Sequence, residues 1–279
     1  MAVVHAEDWA VALQARLSEP VKWKDFMKVD ISDKYVLHNP YRTDATVATL
    51  TRYSAYTAAA VAHTDESVQI DASYIISEVI DRADLGQSGY VSQMESADHQ
   101  GVMLNEKIES YIYAQYADLT TFDNTEIGGA AGNITVSQNN IDDIITNLKR
   151  KISQAKGDTL MERNGVFIVW RPADFQLLES YMFAAGFSTA DNALRNGVYG
   201  GVEYMGVTHY RSNLLTAGHL VGGVKKVWHL GIYRGTYGQI VVDEKDPGLI
   251  SGVGVTSRID IKTKAWTKVK PVLFNITVA

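Results

Sequence analysis

The residues best suited to chemistry in this sequence are its seven histidines, and their spacing does not describe a metal site. His209, His219 and His229 lie at intervals of ten residues. That interval does not place two imidazoles on neighbouring turns of one helix, as the His-Glu-x-x-His pattern of zinc enzymes does. The chain contains no cysteine, which excludes disulfides, thiolate chemistry and cysteine-ligated zinc. We therefore expect separate structural histidines and no bound metal.

Three other short motifs resemble parts of active sites, and each lacks an essential feature. Gly248-Leu-Ile-Ser-Gly252 has its serine one place too late for the Gly-x-Ser-x-Gly nucleophile turn. Gly128-Gly-Ala-Ala-Gly132 is not followed by the Lys-Ser/Thr of a phosphate-binding loop. Asp81 and Asp84 could share a helical face as a catalytic pair, but their place before a long helix better fits capping of its N-terminus. We predict no catalytic residues and no cofactor.

Composition and charge describe a globular chain without an obvious affinity for nucleic acid or membranes. Hydrophobic residues make up 46% of the 279 residues, enough for one large domain or two smaller ones. The formal net charge is −6, whereas tight binding to phosphates needs surplus lysine and arginine. No apolar run reaches the roughly 18 residues that span a bilayer. The first residues also lack the pattern of a secretory signal.

A long amphipathic helix over Ser88–Leu119 is the element around which the sequence is organised. At 1.5 Å per residue it would be about 45 Å long. Glu95, Asp98, Glu106, Lys107 and Glu109 fall off its apolar stripe, so we expect them on the solvent side. Apolar or small residues recur along the stripe every three or four positions, at Tyr90, Met94, Ala97, Gly101, Leu104, Ile108, Ile112 and Leu119.

The N-terminal region has two alternative interpretations. Glu7–Leu17 has the spacing of a short amphipathic helix, with Trp9 and Leu13 on one face. Pro20 ends that helix. The following segment, Pro20–Lys34, either docks on its own domain or forms an arm that places Trp23 and Phe26 on a neighbouring subunit.

Lys34–Asp81 is predicted to be mostly extended, because β-branched and aromatic residues dominate it. Its middle, Arg52–Glu66, is rich in alanine and tyrosine and poor in large aliphatic residues. Such a stretch cannot build its own core, so it is either flexible or finds a surface outside its own domain. A short helix over Tyr53–Val61 is an alternative. Ala72–Ile80 is a more apolar strand that returns to the body of the protein.

The remaining chain is predicted to contain two helices followed by strands. Ser137–Lys156 has isoleucines and leucine on one helical face. Val166–Trp170 is a short continuous apolar run, typical of a buried strand, and Pro172 suits the first turn of a helix. Strands are then expected at Val202–Tyr210, Val224–Leu230, Ile240–Val242, Ser257–Thr263 and Val269–Thr277.

This order of elements resembles the major capsid proteins of tailed bacteriophages, which have the Hong Kong 97-type fold. The resemblance covers nearly the whole chain and is most specific at Val68–Gln87, Arg163–Leu178 and Gly197–Arg211. It implies an α+β fold with an N-terminal arm, an extended loop, a peripheral domain that contains the long spine helix, and an axial domain. We place these parts at 1–34, 35–78, 79–136 with 246–279, and 137–245, respectively.

The resemblance also implies a function. The chain would self-assemble, as hexamers and pentamers, into the icosahedral shell that encloses the double-stranded DNA genome, with no catalysis. A portal, a separate scaffolding protein and a decoration protein would be its other partners, and it would contact the packaged DNA without sequence specificity. It would be found in the virion capsid and assemble in the cytoplasm of the host bacterium. Alternatives are an encapsulin-like nanocompartment shell, a tail subunit and an oligomeric hydrolase.

Contacts between subunits are expected from the N-terminal arm and the extended loop, because terminal arms and reaching loops supply contact area without belonging to a core. The expected contact residues are Trp9, Leu13, Trp23, Phe26, Tyr41, Arg42, Tyr53, Tyr56, Asp65 and Glu66.

Overall fold

A computed structural model describes residues 19–47, 49–53, 55, 58, 60–81, 92–184, 201–243 and 252–279 of the chain. Within these residues the helices are α1 (Trp23–Phe26), α2 (Ser92–Ala114), α3 (Ile141–Gln154), α4 (Asp158–Asn164) and α5 (Pro172–Ala184). The strands in the first half are β1 (Lys28–Ser32), β2 (Val36–His38), β3 (Tyr41–Arg42), β4 (His63–Thr64), β5 (Ser67–Gln69), β6 (Ala72–Asp81) and β7 (Thr120–Phe122). Those in the second half are β8 (Val166–Trp170), β9 (Val202–Tyr204), β10 (Val207–Arg211), β11 (His219–Val224), β12 (His229–Tyr233), β13 (Ile240–Asp243), β14 (Gly252–Lys264) and β15 (Leu273–Thr277).

Strand β14 is the centre of a five-stranded sheet. Along one edge it pairs antiparallel with β6, from Gly252 opposite Asp81 to Ile261 opposite Ala72. Along its other edge it pairs first with β13 and then with β12. Strand β1 lies parallel to β12 on the outside. The return of Ala72–Ile80 to the body as a strand is therefore confirmed.

A second, six-stranded sheet has the order β7-β15-β11-β8-β10-β9. Every residue of β8 is buried, as its continuous apolar sequence predicts. Helix α3 packs on the sheet with the predicted face, since Ile141, Ile144, Ile145, Leu148 and Ile152 are all buried. Gly223 in β11 has a φ of +151°, and a Cβ there would come 2.5 Å from the Val272 carbonyl oxygen. Only glycine fits that position.

Helix α2 is the long helix, with its end at Ala114 rather than at Leu119. Its 23 residues give a length of about 35 Å, and residues 88–91 lie outside the described part. Ile108 and Ile112 are buried, as predicted. The expectation for Glu109 is wrong, because this carboxylate is 2% exposed. Hydrogen-bond partners from two other parts of the chain surround it, which the helical pattern alone does not reveal.

The segment Pro20–Lys34 docks on its own chain. Trp23 is 1% exposed and Phe26 is fully buried, with its ring stacked 4.5 Å from that of Phe167. The expectation that Trp23 and Phe26 contact a neighbouring subunit is therefore wrong, because both side chains fill this subunit's core. Trp9 and Leu13 lie outside the described residues.

The two sheets do not follow the predicted domain boundaries. The C-terminal segment 246–279 divides between them, because β14 lies in the five-stranded sheet and β15 in the six-stranded one. The segment 137–245 also divides, since β12 and β13 pair with β14. Strand pairing between distant parts of the chain produces this division. Which parts serve as peripheral and axial domains stays a prediction.

Several predicted elements differ in detail. The single strand expected over Val202–Tyr210 is the hairpin β9–β10, with its turn at Met205 and Gly206, both at positive φ. The strand expected over Val224–Leu230 spans the connection between β11 and β12. Helix α4 has no counterpart among the predictions. In short segments rich in glycine and β-branched residues, the sequence predicts the type of secondary structure better than the residues at which each element begins and ends.

Candidate subunit-interaction surface

A two-stranded arm leaves the five-stranded sheet after β1 and returns to it at β6. We define the arm as residues 33–71. Strands β2 and β5 pair antiparallel near its base, with Leu37 opposite Val68. Strands β3 and β4 continue the ladder outward, with Tyr41 opposite Thr64. The arm lies largely within the extended excursion that the sequence predicts at 35–78, and residues from 72 onward belong to the sheet. The assignment of 35–78 as the extended loop of a capsid protein stays a prediction.

The base of the arm is packed against the five-stranded sheet. The Leu37 side chain lies over Gly231, where a Cβ would come within 2.5 Å of Leu37 Cδ1. The Tyr35 ring stacks on Tyr233 with 4.1 Å between centroids, and its hydroxyl donates to Asp260 over 3.2 Å. These contacts hold the first part of the arm in place on its own subunit.

Three ion pairs tie the arm to the end of β14 and the turn that follows it. Lys262 binds Asp71 at 2.9 Å, Lys264 binds Glu66 at 3.4 Å, and Lys268 binds Asp44 at 2.6 Å. The Lys268 ammonium lowers the pKa of Asp44. Exposed pairs of this kind contribute little to stability individually, but together they limit the directions that the arm can take.

Glu66 and Asp65, both expected to contact a neighbour, have partners within the chain. Glu66 accepts hydrogen bonds from the backbone N–H of Thr267 at 3.0 Å and from its hydroxyl at 3.1 Å. Asp65 lies 2.7 Å from Nδ1 of His38 across the hairpin. These two acidic residues therefore shape the arm itself.

The outer part of the arm exposes apolar side chains. Val47 is 96% exposed and Tyr53 is 98% exposed, and Leu50 and Val61 also face solvent. Tyr53 has a φ of +69°, an uncommon conformation for a bulky residue. Several exposed apolar side chains on the segment that joins the two strands of a hairpin are typical of a contact surface that another molecule covers. We call the described residues within 45–62 the arm tip.

The other expected contact residues of the arm have different surroundings. Tyr41 is half-buried, with Lys268 5.5 Å from its ring centroid, and Arg42 is exposed. Tyr56 lies outside the described residues. Among the described members of the expected set, Tyr53, Arg42 and Asp65 have exposed side chains.

One face of the five-stranded sheet carries a second apolar surface that the sequence reasoning missed. Ile75 and Val79 lie on the same side of β6 and are 66% and 49% exposed. Val241 of β13 lies on the same face of the sheet. It is opposite Thr256, which is in turn opposite Ser77, the residue midway between Ile75 and Val79. The two-residue period of a strand puts Ile75 and Val79 on one side, but Tyr74 and Ile76 on the other side are apolar too, so the sequence lacks a clear alternation that marks this face.

Within the described part of the chain, no group of three or more His, Asp or Glu side chains could hold a metal ion. His209 is a core residue: it is fully buried, its Nδ1 accepts from the Trp170 indole at 2.9 Å, and burial lowers its pKa to about 4. None of the described helices is long and apolar enough to cross a membrane.

Comparison with known proteins places this architecture in one structural class. No family model matches the sequence, and neither does any curated protein. Solved structures match over nearly the whole length, and they give the chain the Hong Kong 97-type fold of tailed-phage capsids.

Three solved structures illustrate the likeness. That of Mycobacterium phage Che8 has a TM-score of 0.69 at 15% identity, covering 97% of this chain and 96% of the other. The capsid of Ralstonia phage GP4 has a TM-score of 0.68 at 8% identity, covering 98% and 95%. A virus-like particle from Pyrococcus furiosus has a TM-score of 0.60 at 9% identity, covering 92% of each chain.

Proposed function

We propose that this chain is the major capsid protein of a tailed bacteriophage and that many copies assemble into an icosahedral shell around a double-stranded DNA genome. The observation that carries the proposal is the projecting arm, anchored at its base and apolar at its tip, on a capsid fold. A hairpin built in this way gains its buried surface only when a second molecule covers the tip.

The physical requirements of a shell support the same function. A closed shell joins many copies, so modest contacts at each interface add up to a stable container. Packed α2 and the two sheets give the subunit a rigid body, while the arm supplies contact area away from its core. The net charge of −6 suits a wall that encloses DNA without binding it tightly.

The wider set of partners follows from this function. Copies would form the hexamers and pentamers of the shell, with a portal at one vertex. A separate scaffolding protein would guide assembly, a decoration protein would bind outside, and packaged DNA would be held without sequence-specific contacts. The role is structural rather than enzymatic, in the virion capsid, and assembly takes place in the host bacterial cytoplasm.

A nanocompartment shell with a protein cargo is the second candidate. The Pyrococcus furiosus virus-like particle, which shares the fold at a TM-score of 0.60, is the observation that favours it. Phage capsids match with higher TM-scores, up to 0.69, so the phage capsid is the better supported proposal.

Expression of the chain alone, followed by size-exclusion chromatography and negative-stain electron microscopy, tests the proposal. We expect closed shells or rings of five and six subunits. Assembly into tubes contradicts it. A protein that stays monomeric at tens of micromolar is retested with the proposed scaffolding protein, and failure to form shells then also contradicts it. Nuclease-protected double-stranded DNA in particles from the natural source indicates a phage capsid, whereas an enclosed enzyme indicates the nanocompartment.

A further inference from the structure

A group of polar side chains is buried where the N-terminal segment, helix α2 and the residues after β10 meet. Its members are Glu19, Lys22, Glu109, Tyr113 and Ser212. Glu109 is 2% exposed, and Tyr113 and Ser212 are fully buried. Such burial is costly for a carboxylate unless hydrogen bonds and opposite charge compensate it.

Glu109 is surrounded by three hydrogen-bond partners. Its Oε2 faces the backbone N–H of Lys22 at 3.3 Å. Its Oε1 accepts from the Tyr113 hydroxyl at 2.8 Å and lies 3.2 Å from Ser212 Oγ. Helix α2 thereby contacts the N-terminal segment and the residues after β10 through one side chain.

Glu19 approaches the same serine from the other side. Its Oε2 lies 3.0 Å from Ser212 Oγ and 2.7 Å from the Lys22 ammonium, and its Oε1 accepts from the Asn213 N–H at 3.0 Å. A serine hydroxyl has one proton to donate. Two ionised carboxylates therefore compete for the proton of Ser212, and one lysine cannot neutralise both.

We propose that Glu109 and Ser212 form a proton-operated clamp on residues Glu19–Lys22. With a proton on Oε1, Glu109 donates to Ser212 Oγ, and Ser212 donates to Glu19, so that the hydrogen bonds run in one direction. When Glu109 loses this proton, both carboxylates need the Ser212 hydrogen and the clamp weakens. The proposal rests on this geometry and not on the capsid function.

Burial favours the neutral form of Glu109, whereas the groups that face it, namely Tyr113, Lys22 and Ser212, favour its charged form. Burial raises the pKa of Glu109, and the hydrogen bond from Tyr113 and the charge of Lys22 offset this only in part. Burial also acts to raise the pKa of Glu19, but Lys22 and the Asn213 N–H outweigh it, so this pKa lies below its ordinary value. The pKa of Tyr113 is raised by burial and by Glu109.

The sign of the pH dependence follows from these directions. When Glu19–Lys22 is docked, Glu109 is buried and its pKa is higher than that of a glutamate in solvent. Docking therefore weakens as the pH rises from the ordinary pKa of glutamate through this raised pKa. Glu19 has the opposite effect at lower pH, because its lowered pKa favours docking until it is protonated. The clamp is therefore tighter near pH 5 than near pH 8.

Movement is confined to the residues before α1. Trp23, Phe26 and Met27 are buried in the core. The Tyr210 hydroxyl donates to Asp25, and the Lys226 ammonium donates to the Met27 carbonyl at 3.3 Å. These anchors stay in place while Glu19–Lys22 loosens, so among the described residues the clamp acts on Glu19–Lys22 alone.

Amide hydrogen exchange measured by mass spectrometry tests the clamp. Protection factors, which correct for the intrinsic pH dependence of exchange, are compared at pH 5 and pH 8 for a peptide that contains Glu19–Lys22. The full-length chain is kept in one assembly state, checked by light scattering. We expect protection to fall by about threefold or more at pH 8, since one pKa unit corresponds to about tenfold. A peptide from α3 should not change.

Glu109→Gln should remove this pH dependence. The neutral carboxamide can keep its oxygen on the Lys22 N–H and donate to Ser212, as protonated Glu109 does, so protection should be high at both pH values. Asp174→Asn, a matched change of another buried carboxylate that lies on α5 and pairs with Arg171, should keep the wild-type response. Equal protection of the wild-type peptide at both pH values overturns the proposal, as does an unchanged response in Glu109→Gln.

Ser212→Ala provides a second variant in case Glu109→Gln does not fold. Without the hydroxyl, neither carboxylate has the bridge, so we expect low protection of Glu19–Lys22 at both pH values. A Ser212→Ala protein that retains the wild-type difference between pH 5 and pH 8 contradicts the clamp.

Discussion

His209 shows how one buried side chain makes the subunit sensitive to acid. The Trp170 indole donates to Nδ1, so the imidazole proton is on Nε2 and points to the Tyr204 carbonyl at 3.2 Å. A charged imidazole would need to donate from both nitrogens, and Nδ1 faces another donor. Burial lowers the pKa of His209 to about 4.

The pH dependence of stability follows from this lowered pKa. Between the ordinary histidine pKa of about 6.5 and about 4, the unfolded chain binds a proton that the folded chain does not. The free energy of unfolding should therefore fall by about 1.4 kcal/mol for each unit by which the pH is lowered in this range. Urea unfolding of unassembled subunits at pH 7 and pH 5 measures the decrease.

His209→Gln should show a smaller decrease between the two pH values, because its side chain does not titrate. His63→Gln, a change of an exposed histidine in the arm, is the control and should behave like the wild type. A decrease of the same size in His209→Gln and the wild type contradicts this explanation.

At the scale of single elements, two residues of α2 that the sequence pattern predicts to be equally buried differ in their exposure. Ile108 and Leu104 lie one turn apart on the predicted stripe, but Ile108 is 2% exposed while Leu104 is half-buried at the edge of the core. Ile108→Asp would bury an unpaired charge and should abolish folding. Leu104→Asp can direct its carboxylate to solvent, so it should give a soluble protein with a lower melting temperature.

Soluble yield and thermal unfolding followed by circular dichroism distinguish the two variants. If Ile108→Asp is soluble and melts like the wild type, the buried face of α2 is wrongly assigned. If Leu104→Asp is also insoluble, the edge of the core is more tightly packed than its exposure indicates.

At the scale of the whole molecule, the apolar side chains of the arm tip become buried only when several copies assemble. Val47 and Tyr53 are 96% and 98% exposed, so replacing both by aspartate should leave the stability of a monomer unchanged. In a shell the same charges would be buried against a neighbour, and assembly should be lost. Sedimentation and negative-stain microscopy of the double variant measure this effect.

The conservative pair Val47→Ile with Tyr53→Phe is the matched control, because it keeps both side chains apolar and should still assemble. Normal yields of shells from the aspartate double variant would show that the arm tip is not an interface.

Sequence periodicity was reliable where one element packs against a single apolar surface. The five buried residues of α3, the apolar strand β8 and the proline at the start of α5 were all predictable, because each depends on local spacing and on burial alone. The extended course of the arm was predicted from its β-branched and aromatic residues.

The burial of polar side chains, and the place where the N-terminal aromatic side chains dock, could not be predicted in the same way. Glu109 falls on the polar side of the α2 pattern, yet residues 19–22 and Ser212 cover it. Trp23 and Phe26 had two possible destinations, and only the packing of Phe26 on Phe167 decides between them. These outcomes depend on residues far apart in sequence, which periodicity does not register.

The sequence by itself determined the main helices, the extended excursion and the absence of cysteine chemistry, because these depend on composition and on spacing along the chain. The α+β class was implied by the resemblance of the order of elements to capsid proteins. The tertiary structure decided how β14 joins β6, β12 and β13, how the last strand enters the other sheet, and which carboxylates are buried. The physical reason is that strand pairing and burial are free-energy gains between distant segments, and these gains are settled only when the whole chain packs.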